Sequence, residues 1–283
     1  MGHSLRRFRH DSNVPPKFRR RNLLNMKDKF PDLNELPPEL GLMILSNLNA
    51  TDLCLAMCVN DFWRQLALDD VLWQGLCYAT WGSVSAYDKK KEVGFSYREL
   101  YQRLDDHSLL FNYNADVGIE YLLRDGILDD DPKAIAYFIN STNRLDRSQV
   151  RQYVTKRPDV LDELIKLDNY KDKMLPIALR TFFSNVESPF LHGSRLQALL
   201  EKFAERYLAC NPQCGLSKDG VCILCYSLIL LSIDLTSPHV KNKMSKREFI
   251  RNVRQATPEA NDELSGHMYD NIYLVGHIAP QKW

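Results

Sequence analysis

Apolar residues recur along this chain at spacings of three and four, proline and glycine separate the segments, and alternating stretches are scarce, so the pattern predicts an all-α protein. Leu36, Leu40, Met43, Ile44 and Leu48 fall on one helical stripe that opens at Pro37 and Pro38, where a missing N–H costs nothing. A second helix is expected at once. Asn49 or Thr51 caps it, Asp52 sits at the positive end of its dipole, and Leu53, Leu55, Ala56, Val59 and Phe62 form its buried side. A third element runs from Asp69 to Cys77 and carries Leu72, Trp73 and Leu76. So small a unit has more apolar surface than it can cover alone, which is the mark of a unit that needs a partner.

Residues 81–108, with Trp81, Gly82, the charged run Lys89 to Glu92 and the amphipathic stretch Tyr97 to Leu104, read as a connecting arm. From Leu109 the pattern predicts nine more helices, at Ala115–Asp125, Pro132–Asn140, Arg147–Lys156, Asp159–Leu167, Leu175–Phe183, Ser194–Ala209, Ser217–Ile233, Ser245–Ala256 and Asp262–His277. Their spacing does not repeat, which points to a superhelical or orthogonal α domain. The expected order is a tail at 1–30, a three-helix domain at 31–80, the arm at 81–108 and a multi-helix domain at 109–280.

Charge refines this division. The net charge of +1 over 283 residues hides nine Lys/Arg against two acids in residues 1–30, so the tail carries +7 and the remainder −6. Arg6, Arg7, Arg9 and the run Arg19 to Arg21 lie in an aromatic-poor stretch without amphipathic order, which favours a solvated leader over specific nucleic-acid recognition. Seven cysteines without framework spacing point to free thiols and a reducing compartment, the cytosol or nucleus, with a cytoplasmic protein expected. The longest apolar run, Val221 to Leu231, falls well short of the ~20 residues that cross a bilayer, so no transmembrane helix is expected. Gly2 lacks the Ser or Thr of a myristoylation signal, because Arg6 stands there.

Residues 33–77 resemble an F-box. The carriers are the Leu36-Pro37 start, Ile44-Leu45 followed by Leu48, Asp52-Leu53, Val59, Trp63 and the closing Leu72-Trp73, all at the family's spacing. The resemblance implies docking on the Skp-one adaptor, and through it on a cullin-RING ligase scaffold. Leu36, Pro37, Leu40, Ile44, Leu45, Leu48, Leu53 and Val59 would supply the contact surface, as apolar anchors do in helix recognition.

Downstream, Ala209-Cys-Asn-Pro, the run Leu224 to Leu235 and Ser237-Pro-His-Val-Lys-Asn-Lys-Met-Ser-Lys-Arg-Glu-Phe-Ile resemble the second motif of Sec-seven domains, the exchange modules for ARF-family GTPases. Further matches at Lys202–Tyr207, Ala178–Arg180, Arg144–Asp146, Gly118-Ile119 and Gly126–Leu128 extend the similarity over about 109–279. The resemblance implies a GTPase groove at Ser232, Ile233, Asp234, Leu235, Ser237, Pro238, Val240, Lys243 and Met244, with Thr236 in place of the family's usual His. Leu228, Leu231 and Leu235 also read as simple core. Exchange in that family needs a Glu at a loop tip, where a carboxylate pushed toward phosphate and Mg²⁺ displaces them. Here His192 or Leu191 stands at that position, according to whether the count runs back from Phe203 or forward from Leu179, and Glu187 lies several positions early.

Cys210, Cys214, Cys222 and Cys225 loosely imitate zinc spacing, but the last two sit in an apolar helix and read as core filling. No glycine-rich phosphate loop is present, and no cofactor or metal is expected. The expected protein is a non-catalytic adaptor of a ubiquitin ligase that presents an ARF-family GTPase or a related client, with membrane association only indirect or transient and recruitment to endomembranes through ARF proteins. An active exchange factor whose turnover runs through its F-box, and a purely structural platform, are the competing readings.

Overall fold

The computed structural model describes residues 35–89, 94–186 and 193–278, and the described regular structure is helical throughout. Fourteen α-helices and a short 3₁₀ turn, Ser85–Tyr87, lie within the described residues. The chain divides into two compact units, 1–76 and 77–283.

In the first unit, α1 (Pro38–Leu45) starts on the proline pair. Asn49 caps α2 (Ala50–Ala56), accepting from the Asp52 N–H at 2.9 Å while its amide donates to the Asp52 carboxylate. The single helix expected from Asn49 through Phe62 is instead two. Asn60 adopts an extended backbone, and its side chain accepts from the Trp63 N–H at 2.8 Å, so α3 (Asp61–Ala67) begins afresh. This break turns the pattern over: Leu55 and Val59, expected in the core, are exposed, while Trp63 and Leu66 are buried. Gly41 lets α1 lie against α3, since a Cβ there would sit 2.5 Å from Leu66 Cδ1.

Helix α4 (Asp70–Trp81) carries the chain across the division. Its end is fastened within the second unit. Trp81 is fully buried and its indole N–H donates to Ser108 Oγ at 2.9 Å, while Ser141 Oγ and Thr142 Oγ1 donate to the Trp81 and Thr80 carbonyls. The stretch expected as a connecting arm therefore belongs to the second unit, and the boundary placed at Leu109 falls inside α5 (Tyr97–Tyr113).

The nine helices expected from 115 onward are present, with ends shifted by three residues or fewer: α6 (Ala115–Arg124), α7 (Pro132–Ser141), α8 (Arg147–Lys156), α9 (Pro158–Leu167), α10 (Leu175–Asn185), α11 (Gly193–Cys210), α12 (Lys218–Thr236), α13 (Lys246–Ala256) and α14 (Asp262–Val275). Side chains of Asn114, Asp131, Asp146, Ser217, Ser245 and Asn261 cap six of them, and Ser245 with Glu248 forms the expected capping box. Helices α10, α11, α13 and α14 pack around α12, which buries Val221, Leu224, Cys225, Leu228 and Leu231. By length and composition α12 would cross a bilayer, but its apolar character is explained by its place as the central helix. Phe182, Phe183, Phe203 and Tyr170 join in a ring-to-ring chain with centroids 5.2 Å apart.

At the α5–α6 crossing a Cβ on Gly118 would fall 2.4–2.6 Å from Phe111 backbone and Cβ atoms, so backbone would have to move. Gly118→Ala is expected to destabilise the second unit by about 1–3 kcal/mol, read as an earlier thermal transition. Gly75→Ala, where nothing lies within 4 Å of the added methyl, is expected to be neutral or to stabilise by about 0.5–1 kcal/mol. Equal effects would contradict the packing described.

Candidate functional site

Two surfaces carry the residues singled out by the sequence. On the first unit the structure divides the eight expected contact residues. Pro37, Leu40, Ile44 and Val59 are exposed, Leu36 and Leu48 are half-buried, and Leu45 and Leu53 are 2% and 1% exposed. Leu45 and Leu53 thus face the unit's own core and support the surface instead of forming it. Met43 and Leu55, at 67% and 62% exposure, join the exposed set. Leu40 and Ile44 stand one turn apart on α1, and Leu55 in the last turn of α2 is followed by Val59 in the turn after it, giving two short apolar rows that the unit itself leaves in water.

The acids of this unit have a local explanation. Glu39, Asp52, Asp61 and Asp70 each lie in the first turn of a helix, where the dipole favours negative charge.

The second surface lies at the carboxyl end of α12 and the turn 237–244 that follows. Ser232, expected in the groove, is buried, and its hydroxyl donates to the Ile229 carbonyl at 2.8 Å, so it belongs to the core. Ile233, Asp234 and Leu235 are half-buried, as are Ser237, Val240 and Met244, while Pro238 and Lys243 are exposed. The turn is stapled from within. The Lys243 ammonium donates to the carbonyls of Asp234, at 2.6 Å, and Ser237, which places a cation on the orphan carbonyls at the negative end of α12. Asp234 Oδ2 accepts from the Met244 N–H at 2.7 Å, and the Tyr269 hydroxyl donates to the Met244 carbonyl at 2.8 Å. Lys243 and Asp234 therefore shape the turn, a role the sequence did not reveal.

Thr236 donates to the Ser232 carbonyl and lies 3.2 Å from His277 Nδ1. Burial lowers the His277 imidazole from its ordinary value. Arg180 on α10 fixes that end of the chain, donating to the Gly276 and His277 carbonyls and to Asn271 Oδ1.

The sequence also missed Leu230. It is 64% exposed on α12, three residues before Ile233 and four after Tyr226, and so extends the surface one turn back along the helix. The signal was a three-and-four row through Ile223, Tyr226, Leu230 and Ile233, masked because α12 is apolar nearly all round. Leu191 and His192 lie outside the described residues. Among the described residues no three His, Cys, Asp or Glu side chains gather as a metal site. The arrangement offers docking faces.

Comparison with known proteins agrees with both halves. A model of the Sec7 domain matches residues 101–274, and a model described as F-box-like matches 33–79. F-box only protein 8 of Homo sapiens and of Bos taurus are each 55% identical over 257 residues, covering 89% of this chain and 80% of theirs. Brefeldin A-inhibited guanine nucleotide-exchange protein 2 of Arabidopsis thaliana is 35% identical over 149 residues, 51% of this chain and 8% of that protein. Among solved structures, the Sec7p catalytic domain is 28% identical with a TM-score of 0.53, covering 60% of this chain and 96% of that one. A Sec7 domain solved with ARF1-GDP and brefeldin A shares the fold, at 24% identity and a TM-score of 0.54 over 62% of this chain and 92% of that one. An F-box-like segment joined to a Sec7 domain, with more than half the residues identical along most of the chain, places this protein in the F-box only protein 8 family.

Proposed function

We propose that this protein is a substrate-recognition adaptor of an SCF-type ubiquitin ligase. Its first unit docks on a Skp-type adaptor, and its Sec7 unit presents an ARF-type GTPase or a related client without driving nucleotide exchange. The observation that carries the reading is the pair of exposed apolar rows, Leu40 with Ile44 and Leu55 with Val59, on a unit too small to cover them. Such rows fit helix recognition, in which a few apolar anchors supply most of the affinity.

For the Sec7 unit, the support is the turn 237–244 held in shape by Lys243, Asp234 and Tyr269 beside the exposed Leu230. A preformed turn loses little conformational freedom when a partner binds. The sequence of the finger loop, with His192 or Leu191 in place of Glu, removes the carboxylate that would repel phosphate. The second reading, a working exchange factor, is favoured by the 35–36% identity to proteins named as nucleotide-exchange proteins.

Leu40→Asp with Ile44→Asp is expected to abolish co-purification of the Skp-type adaptor with little change in thermal stability, because both residues face solvent. Leu45→Ala or Leu53→Ala is expected to destabilise the first unit by about 2–5 kcal/mol instead. Retained adaptor binding by the double Asp variant would refute the docking surface.

Release of mant-GDP from ARF-type GTPases is expected to stay at its spontaneous rate when this protein is added. Pull-down of the same GTPases is expected to fall at least tenfold with Leu230→Glu and Ile233→Glu. Stimulation comparable to that by an active Sec7 domain would establish the exchange-factor reading.

A further inference from the structure

Charge is distributed unevenly over the second unit. Residues 77–283 carry no net charge, yet the stretch 237–256 holds Lys241, Lys243, Lys246, Arg247, Arg251 and Arg254 against one acid, Glu248. The structure separates the cations that have work elsewhere from those that do not. Lys246 pairs with Asp270 on α14, Arg254 pairs with Asp262, and Lys243 sits on the carbonyls at the end of α12. Lys241, Arg247 and Arg251 are exposed and form no ion pair among the described residues. Glu248, the acid nearest Arg251, is occupied by the Ser245 hydroxyl and N–H.

Arg247 and Arg251 stand one turn apart on α13, on the side opposite Phe249 and Val253, which are buried in the unit's core. Lys241 lies in the turn that leads into the helix, next to the exposed Pro238 and His239. We infer that this outer face of α13, with the turn before it, is a contact surface for an anionic phospholipid bilayer, engaged from the side without insertion.

Three features select a lipid surface over other anions. The apolar residues Phe249 and Val253 of the helix are already used inside the protein, so the face has no buried anchor of the kind that protein interfaces are built on. It carries no exposed Phe, Tyr or Trp on which a nucleic-acid base would stack, and His239 in the turn is its one exposed ring. Long guanidinium and ammonium side chains on a helix face suit a laterally mobile array of phosphate and carboxylate headgroups, which needs no fixed complementarity. The face also runs directly into the turn 237–244, so a bilayer held there would lie beside the proposed GTPase surface.

The test is co-sedimentation of the full chain with vesicles of phosphatidylcholine alone and of phosphatidylcholine with phosphatidylserine, comparing the native sequence with Arg247→Glu/Arg251→Glu. Wild type is expected to prefer the anionic vesicles and to release them as salt rises. The variant is expected to partition roughly tenfold less or weaker still, with an unchanged thermal transition. Because the basic residues 1–30 add attraction of their own, the pair is measured again with Arg6, Arg7 and Arg9 changed to Ala, and the same loss is expected on that background. Equal partitioning of wild type and variant on both backgrounds would overturn the inference, as would equal binding to neutral vesicles. A variant that lost only a protein partner while keeping its vesicle binding would also overturn it, and would reassign the face to an acidic protein.

Discussion

The second unit depends on covering one helix. Helix α12 runs for nineteen residues, Lys218 to Thr236, with apolar side chains on almost every side, and left in water it would not persist. Four helices pack against it, and Leu224, Cys225, Leu228 and Leu231 become inaccessible. What the covering leaves open is a narrow row at one side, Leu230 and the half-buried Ile233 and Asp234, which continues into the turn 237–244. The proposed GTPase surface is thus the uncovered remainder of the element that organises the core.

The same helix explains how the turn is held in shape. A helix that ends at the surface leaves carbonyl groups without partners, and here the Lys243 ammonium takes those of Asp234 and Ser237. The Asp234 side chain answers by accepting from Met244, so cation, carboxylate and backbone close one loop. Residues that looked like partner contacts are therefore partly committed to each other. The first unit shows the opposite condition. Its core of Leu45, Leu53, Trp63, Leu66, Ala67, Leu72 and Trp73 is small, its helices are short, and Leu40, Met43, Ile44, Leu55 and Val59 face water.

Much of this was legible in the sequence, and the failures have local causes. Helices with their own caps, such as those begun by Asp146 or by the Ser245–Glu248 box, were placed within a residue because the cap and the apolar period agree. The break at Asn60 was missed because Leu53, Ala56, Val59 and Phe62 keep helical spacing through it, and nothing in that spacing reports that the Asn60 side chain will cap a new helix. Gly82 and a charged run suggested an arm, yet the hydrogen bonds from Ser141 and Thr142 bind the end of α4 into the second unit through residues some sixty positions away. Within α12 the periodicity carried little information, since an all-apolar helix does not say which row is left exposed. The spacing therefore does not single out the exposed Leu230, and the family resemblance alone points to Ser232, which is buried.

The proposed adaptor role requires one chain to hold a ligase adaptor and a GTPase at the same time. Sedimentation-velocity analysis of the full chain mixed with a Skp-type adaptor and a GDP-loaded ARF-type GTPase measures this directly. That role predicts a single ternary species that retains its bound GDP. Two mutually exclusive binary complexes, or a ternary complex from which the GDP has been lost, would contradict it.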